Sequence, residues 1–310
     1  MIDAQLYGGI EGGGTKFVCA VATSPDRIID SVTIPTTDAR TTLDECVQFF
    51  VSAQQQHGQI AAFGFGCFGP IDLNSDPARF GRMMLTPKQG WSGVNVLEPL
   101  RREFSAPIAL EADVGAAALA EWRMGAGRGL GSLAYVTVGT GIGGGVAPLQ
   151  PTIGRLMHAE MGHLRVPRDP RDLSFSGTCP FHGDCLEGLA SGPAIRARWG
   201  CMLEALPADH CGWSIIGGYL GHLAASIALM HSVERIVFGG GVMSNGTLLP
   251  HVSAAALGYL DGYLEPLNDV DRAASYICAP ALGNGAGITG SLLLAMEVAK
   301  ATRFTVARHQ

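Results

Sequence analysis

Two stretches of this 310-residue chain repeat one pattern: an apolar strand, a turn rich in glycine and threonine, and a second apolar strand. The first covers residues 10–21 and the second covers residues 138–146. Glycine permits a tight turn, and apolar runs on both sides of it favour paired strands. The repeat is short, but it predicts two related β-hairpins, one early in the chain and one near its middle.

Both turns have the composition of a phosphate-binding loop. Glycine lets backbone N–H groups approach anionic oxygens, a threonine hydroxyl can donate, and a lysine adds charge. Neither turn has P-loop spacing, and each leads into a strand rather than into the helix of a Rossmann fingerprint. The alternative is a pair of hairpins that need glycine only to turn. A third glycine cluster at residues 239–241 favours a nucleotide, for which we predict contacts from Gly13, Gly14, Thr15, Lys16, Thr140, Gly141 and Gly240.

Composition argues against several other classes of protein. The chain is 47% hydrophobic and 15% charged, as in a globular protein of about two domains. A net charge of -6 and scattered basic residues give no support to nucleic acid or an anionic membrane as a partner. No apolar stretch looks long enough to span a bilayer, because His222 and Ser226 interrupt the run at residues 220–230. Without a signal-peptide core at the N-terminus, we expect a cytoplasmic protein.

A dense group of cysteines and histidines predicts a zinc site. Cys179, His182 and Cys185 form a C-x2-H-x2-C core, and His163 completes a set of four ligands. Zinc favours tetrahedral sets of thiolates and imidazoles, and a filled shell leaves no position for water, so we predict a structural metal. Loop cysteines beside incidental histidines are the alternative, and His158 is a spare candidate ligand.

Asp113 is the candidate acid–base residue. It follows a predicted strand at residues 108–111 and precedes a predicted helix, so a helix N-cap is the simpler interpretation of its position. A carboxylate at a strand end can also accept the proton of a hydroxyl group during phosphoryl transfer. The two roles are compatible.

Three further polar residues lie around the predicted zinc loop. Glu160 and His163 share one segment, and Glu187 follows Cys185 closely. Carboxylates and an imidazole held in place by a metal suit the vicinal hydroxyl groups of a sugar. Solvated loop charge is the alternative interpretation.

Five motifs together resemble the ROK group of bacterial sugar kinases and repressors, and within it most closely the fructokinases. The resemblance covers nearly the whole chain and rests on residues 11–16 (EGGGTK), 66–70 (GCFGP), 86–91 (TPKQGW), 160–163 (EMGH) and 179–193. The EMGH motif with the cysteine cluster is the most specific part. The C-x2-H-x2-C form and the TPKxGW stretch resemble the fructokinase branch.

The resemblance implies an α/β fold of the actin/hexokinase-like (ribonuclease H-like) type, duplicated in two domains around a central cleft. We expect a small N-terminal domain at residues 1–112 with a C-terminal helix at about 285–300, and a larger domain at residues 113–284 that carries the zinc loop. We also expect the protein to be a homodimer. A repressor is not expected, because no helix-turn-helix pattern precedes the first glycine turn.

The resemblance also implies a reaction: transfer of the γ-phosphoryl group of ATP to the primary hydroxyl of a hexose, with Mg²⁺ as cofactor. Fructose is the favoured sugar; glucose, mannose and N-acetylmannosamine kinases and a silent sugar sensor are the alternatives. Asp113 would be the base, and Glu11 could hold Mg²⁺ through water. Sugar contacts are implied for Glu160, His163, Glu187 and Gly69. The chain departs from the usual pattern at Ala112 and Gly115, where a nearby Asn is missing.

Overall fold

The structure is a computed structural model that describes residues 5–74, 76–149 and 157–307, the side chains of 304–307 excepted. The elements up to the middle of the chain are β1 (Leu6–Gly12), β2 (Lys16–Ser24), β3 (Arg27–Pro35), α1 (Ala39–His57), β4 (Ile60–Cys67), α2 (Glu98–Glu103), β5 (Ile108–Ala112) and α3 (Asp113–Met124). They are followed by β6 (Leu133–Val138), β7 (Ile142–Ala147), α4 (Leu186–Ala190), α5 (Gly192–Trp199), α6 (Cys211–His231), β8 (Ile236–Gly239), α7 (Leu249–Leu260), α8 (Val270–Tyr276), β9 (Ile277–Cys278) and α9 (Ala286–Ala307). Residues 1–4, part of the segment in which no targeting signal is expected, lie outside the described residues.

Backbone contacts divide the chain into two compact units. Unit 1 comprises residues 1–120, 149–158 and 285–310, and unit 2 comprises residues 121–148 and 159–284. Helix α3 begins in unit 1 and ends in unit 2. The predicted domain boundaries at residues 112 and 284 stay a prediction.

Unit 1 is built on a five-stranded sheet in the order β3-β2-β1-β4-β5. Strands β1, β2 and β3 are antiparallel neighbours, whereas β4 and β5 run parallel to β1. Helix α1 contributes Phe50, whose ring meets that of Phe63 on β4 at 5.1 Å. The next residue, Gly64, points to the opposite face of the strand, where a Cβ would lie 1.9 Å from the carbonyl oxygen of Ser291 on α9. The two helices therefore cover opposite faces of the sheet.

Unit 2 repeats this arrangement without the outer strand. Its four-stranded sheet has the order β7-β6-β8-β9, with β6 and β7 antiparallel and β8 and β9 parallel to β6. Both sheets thus contain a hairpin followed by two strands parallel to its first strand, and the sheet of unit 1 has β3 in addition. This shared order is the duplication that the two hairpin patterns in the sequence suggest.

Helix α6 corrects one expectation from the sequence. It has 21 residues, and an 18-residue stretch of it has a mean hydropathy of 1.3, so by length and composition it could cross a membrane, contrary to the sequence-based expectation. Of that stretch, 67% is buried inside the protein. Gly217 and Gly221 let α7 approach closely, since a Cβ at either position would lie within 2.6 Å of a side chain of α7. The apolar surface of α6 therefore serves the core of unit 2.

The second glycine turn is shorter than predicted. The run of glycines predicts a turn over residues 139–145, but β7 already begins at Ile142. Gly143 and Gly145 are paired with residues of β6. Gly144 is needed for packing rather than for turning, because a Cβ there would lie 2.4 Å from the sulfur of Met161.

Two helix predictions also need correction. The sequence predicts a single helix over residues 186–199, but the structure has two helices there, α4 and α5, separated at Ser191. The Ser191 hydroxyl accepts a hydrogen bond from the N–H of Ala194, and Pro193 favours a helix start over a helix interior. The sequence also predicts a helix over residues 116–124, but α3 already begins at Asp113, directly after β5.

Candidate functional site

The predicted site residues of unit 1 follow three neighbouring strands at one edge of the sheet. Gly12, Cys67 and Ala112 are the last residues of β1, β4 and β5, and they lie in register across the sheet. The first glycine turn, the Gly69 loop and Asp113 follow these three strand ends. In α/β sheets, ligands bind at the carboxyl ends of parallel strands.

The first glycine turn joins β1 to β2 and is exposed at Gly14, Thr15 and Lys16. The N–H of Gly13 donates to the carbonyl of Lys16 at 2.9 Å, which closes the turn. One hydrogen bond links the start of the turn to the start of the Gly69 loop: the N–H of Phe68 donates to the carbonyl of Gly12 at 2.7 Å. The arrangement presents glycine backbone and a threonine hydroxyl at the surface of unit 1, as an anion site requires.

Glu11 lies half-buried at the end of β1. Burial raises the pKa of its carboxyl group, while the ammonium of Lys16 and the N–H of Ile288 act in the opposite direction. Gly287 leaves room for it, since a Cβ there would lie 2.4 Å from the Glu11 carboxyl and would displace that group. Glu11 is a carboxylate next to the first glycine turn, which suits the predicted water-mediated role at Mg²⁺.

Asp113 is the first residue of α3 and is half-buried. Its Oδ1 accepts a hydrogen bond from the N–H of Val114 at 2.8 Å. A Cβ at Gly66 would lie 3.6 Å from the Cα of Asp113, so Asp113 lies close to the end of β4. Burial, with the charge of Asp113 adding to it, raises the pKa of the Cys67 thiol on that strand. Its position at the helix start and its place at the carboxyl edge of the sheet are compatible with both roles considered for it.

In unit 2 the second glycine turn and Gly240 share one edge of the other sheet. Thr137 on β6 pairs with Gly239 at the end of β8, so Thr140, Gly141 and Gly240 follow neighbouring strand ends. Gly240 has a φ of 90°, in the region that favours glycine, and a Cβ there would lie 2.5 Å from the carbonyl oxygen of Val138.

Glu187 connects α4 to the second glycine turn. Its Oε2 accepts a hydrogen bond from the N–H of Ile142 at 3.0 Å. A Cβ at Gly141 would lie 2.7 Å from the same carboxylate oxygen, so only glycine fits there without a shift of Glu187. A second link runs from the N–H of Gly192 to the carbonyl of Gly139, at 2.8 Å. The turn is therefore held by the two helices that follow the predicted zinc loop.

Glu160 precedes a short 3-10 helix, Met161–His163, and its carbonyl accepts the N–H of His163 at 3.0 Å. Burial raises the pKa of the Glu160 carboxyl; His163 acts against this shift and Glu187 adds to it. The three polar residues predicted to bind sugar thus interact electrostatically within unit 2. A half-buried carboxylate pair beside an imidazole can accept hydrogen bonds from several hydroxyl groups.

The four predicted metal ligands form a cluster. The ligand atoms of His163, Cys179, His182 and Cys185 all lie within 4.8 Å of one another. The Cys179 sulfur lies 3.7 Å from Nδ1 of His163 and 3.8 Å from Nδ1 of His182, and the Cys185 sulfur lies 3.5 Å from Nδ1 of His163. A zinc tetrahedron with ordinary bond lengths has N···S edges of about 3.5 Å, so the donor set fits zinc.

The local backbone shapes this cluster. Cys179 and Gly183 exchange two backbone hydrogen bonds, at 3.1 and 2.9 Å, which closes a tight turn around His182. Helix α4 packs against the turn at Gly188, where a Cβ would lie 1.9 Å from the carbonyl oxygen of Gly183. Burial raises the pKa of Cys185 to about 11, with the N–H of Gly188 opposing and Cys179 adding to the shift. A bound cation would stabilise both thiolates and reverse this shift.

His158, the spare candidate ligand, has a different partner. It lies in unit 1, and its Nε2 accepts a hydrogen bond from the N–H of Ile71 at 3.1 Å. The metal-type cluster formed by the four other residues does not include it.

A buried polar network supports the segment between His163 and Cys185, and sequence reasoning missed it. Arg198 binds Asp172 with both side chains at most 6% exposed, and the Tyr219 hydroxyl donates to the same carboxylate at 2.8 Å. Arg168 donates to the carbonyls of Asp172 and Phe175 and contacts Asp184 at 3.4 Å. Asp172 and Arg198 are 26 positions apart, so no local spacing could have revealed the pair.

The fold and the arrangement of the strand ends define a class. Two sheets of the same order, each with a glycine turn at its carboxyl edge, make this an α/β protein of the actin/hexokinase-like class. A solved ROK hexokinase from Thermus thermophilus has the same fold, with a TM-score of 0.76 and 26% identity over 96% of this chain and 100% of that one.

The chain belongs to the ROK family, whose model matches residues 7–298. It is 41% identical to a fructokinase from Zymomonas mobilis, over 95% of this chain and 97% of that protein. A fructokinase from Lactococcus lactis is 37% identical over 94% of this chain and 97% of its own length. The resemblance to the ROK family and to its fructokinase branch is confirmed.

Proposed function

We propose that this chain is an ATP-dependent fructokinase that transfers the γ-phosphoryl group of ATP to the primary hydroxyl at C6 of fructose. One observation carries the proposal: relatives that are themselves fructokinases match it at 36–41% identity over at least 94% of its length. The motifs in the strand-end turns agree with a reaction that depends mainly on positioning and charge neutralisation.

In the proposed reaction, the C6 hydroxyl oxygen attacks the γ-phosphorus while the bond to the β,γ-bridging oxygen breaks and ADP leaves. Asp113 accepts the hydroxyl proton as the new bond forms. Residues 13–16, Thr140, Gly141 and Gly240 hold the nucleotide, and Glu160, His163, Glu187 and Gly69 orient the sugar. Glu11 would hold Mg²⁺ through water, and the bound ion would supply charge neutralisation at the transferred group.

We also propose a structural zinc ion at His163, Cys179, His182 and Cys185. The support is a donor set of two thiols and two imidazoles with the spacing of a tetrahedron. Because His163 is both a proposed ligand and a proposed sugar contact, the metal would fix the sugar-binding segment. A homodimer and a cytoplasmic location remain predictions from the sequence.

A substrate panel tests the fructokinase activity. With purified protein, Mg²⁺ and ATP, we expect kcat/KM for fructose to exceed that for glucose, mannose and N-acetylmannosamine by about tenfold or more. ADP release and the phosphorylated product would be measured together. A clear preference for another of these sugars would contradict fructose as the substrate, and ATP consumption with none of them would contradict the kinase.

Glu187 and Glu160 offer a matched pair of variants. Glu187→Ala removes a proposed sugar contact and also the acceptor for Ile142 in the second glycine turn. We therefore expect it to raise KM for both fructose and ATP, by about tenfold each, since a hydrogen bond to a charged group contributes about 1.5–3 kcal/mol. Glu160→Ala should raise KM for fructose alone. Steady-state kinetics with both substrates varied would measure this, and an unchanged KM for ATP in Glu187→Ala would contradict the link to the turn.

A further inference from the structure

Lys88 has no role in the function described so far, yet it lies at the first glycine turn. The chain has three lysines, Lys16, Lys88 and Lys300. The Lys88 ammonium donates to the carbonyl of Gly14 at 2.7 Å and to that of Thr36 at 3.3 Å. Two of the three lysines, Lys16 and Lys88, are therefore located at the first glycine turn.

The backbone carbonyls of Gly13, Gly14 and Thr15 in the turn all accept hydrogen bonds from residues outside the turn. The Thr36 hydroxyl donates to the carbonyl of Gly13 at 2.7 Å, and the Thr36 N–H donates to that of Thr15 at 2.9 Å. Lys88 holds the remaining one, at Gly14. Among the described residues, the N–H groups of Gly14 and Thr15 have no hydrogen-bond partner. The carbonyl groups are thus occupied, while two N–H groups remain available for an anion.

Lys88 itself is carried by a well-anchored segment. Trp91, three residues later, is fully buried, and its Nε1–H donates to the carbonyl of Thr37 at 2.9 Å. Its ring packs against Phe17 at 5.5 Å and Phe68 at 4.9 Å. Buried aromatic side chains with a satisfied N–H have little freedom to move, so the segment offers Lys88 at a fixed place.

We propose that Lys88 is a positioning residue that holds the first glycine turn in its phosphate-binding conformation and adds positive charge beside the ATP phosphates. The proposal rests on the proposed kinase function. An ammonium that donates to carbonyls orders the turn before ATP arrives, which lowers the entropy lost on binding. The ammonium charge would also attract the phosphates of ATP bound at the turn, because Coulomb attraction is strong at short distance.

The test uses Lys88→Met, with Lys88→Arg as the conservative variant and Lys300→Met as the matched control on exposed Lys300 of α9. We expect Lys88→Met to raise KM for ATP and the Kd for ADP by about tenfold, the loss that a charge-assisted hydrogen bond predicts. KM for fructose and Tm should stay close to wild type. Lys88→Arg should recover most of the ATP affinity, and Lys300→Met should behave as wild type.

Several results would overturn the proposal: a wild-type KM for ATP in Lys88→Met, an equal rise in both substrates' KM values, or a Lys88→Arg variant as impaired as Lys88→Met. If Lys88→Met does not fold, Lys88→Gln keeps an N–H donor without the charge, and a wild-type Kd for ADP in that variant would also overturn it.

Calorimetric ADP binding separates this inference from the proposed function. A wild-type chain that binds ADP but does not phosphorylate fructose fails as a fructokinase, while its Lys88 variants still test the turn.

Discussion

Asp113→Asn is expected to lower kcat for fructose phosphorylation by about 10²–10⁴-fold, the usual contribution of a general base. KM for fructose and for ATP should change little, because the amide has nearly the size of the carboxyl group and makes similar contacts. The loss belongs to the transfer step, since an amide oxygen cannot take up the hydroxyl proton.

The same variant separates the two roles considered for Asp113. Its Oδ1 accepts the N–H of Val114, and an asparagine oxygen can accept that hydrogen bond as well. If Asp113 served only the start of α3, Asp113→Asn would leave kcat and Tm near wild type. Single-turnover kinetics and thermal unfolding would therefore be measured together. Asp209→Asn, at an exposed position of unit 2, is the control for the chemical change.

Cys179→Ser is expected to lose the zinc and to lower the free energy of unfolding by about 4 kcal/mol or more. The metal would bind the folded cluster far better than the unfolded chain, so removing one ligand transfers much of its binding energy to the unfolding equilibrium. The remaining ligands include Cys185, whose thiol pKa of about 11 without a metal reflects first its burial and then the nearby Cys179.

The measurements are metal analysis of the purified protein and thermal unfolding with and without a chelator. Wild type should contain about one zinc ion per chain, as a single closed site requires. Cys211→Ser is the matched control, because Cys211 is exposed and belongs to no metal-type cluster among the described residues. Purified wild type that contains no zinc, or that unfolds at the same Tm with and without the chelator and in the Cys179→Ser variant, would contradict the structural zinc. KM for fructose should also rise in Cys179→Ser, because His163 would lose its fixed orientation.

The local elements were largely predictable from the sequence. The sequence predicts a strand over residues 133–138, which matches β6 at both ends, and a helix over residues 41–57, which lies within α1. The first hairpin also lies where the apolar runs predict it. These elements depend on short-range periodicity and on turn residues, which the sequence states directly. One error lies where packing decides, because Gly144 makes room for Met161. The other has a local cause, because the Ser191 hydroxyl caps α5 and divides one apolar helical pattern into two helices.

The candidate site was predictable in its residue types but not in its connections. The sequence indicated the glycine turns, the strand-end carboxylate Asp113 and the group of cysteines and histidines. It could not indicate that Lys88 holds the carbonyl of Gly14, 74 positions away, or that Glu187 accepts a hydrogen bond from Ile142. Lys88 could have been singled out only by its place in the TPKxGW motif.

The sequence alone therefore determined which chemical groups this chain has and which short segments form strands, turns and helices, because neighbouring residues decide those by themselves. The tertiary structure alone decided which groups meet. Sheet register brings Gly12, Cys67 and Ala112 into one row, and helix packing brings Asp172 to Arg198. Such contacts join residues far apart in the chain, and their free energy depends on the whole packed core rather than on any local pattern.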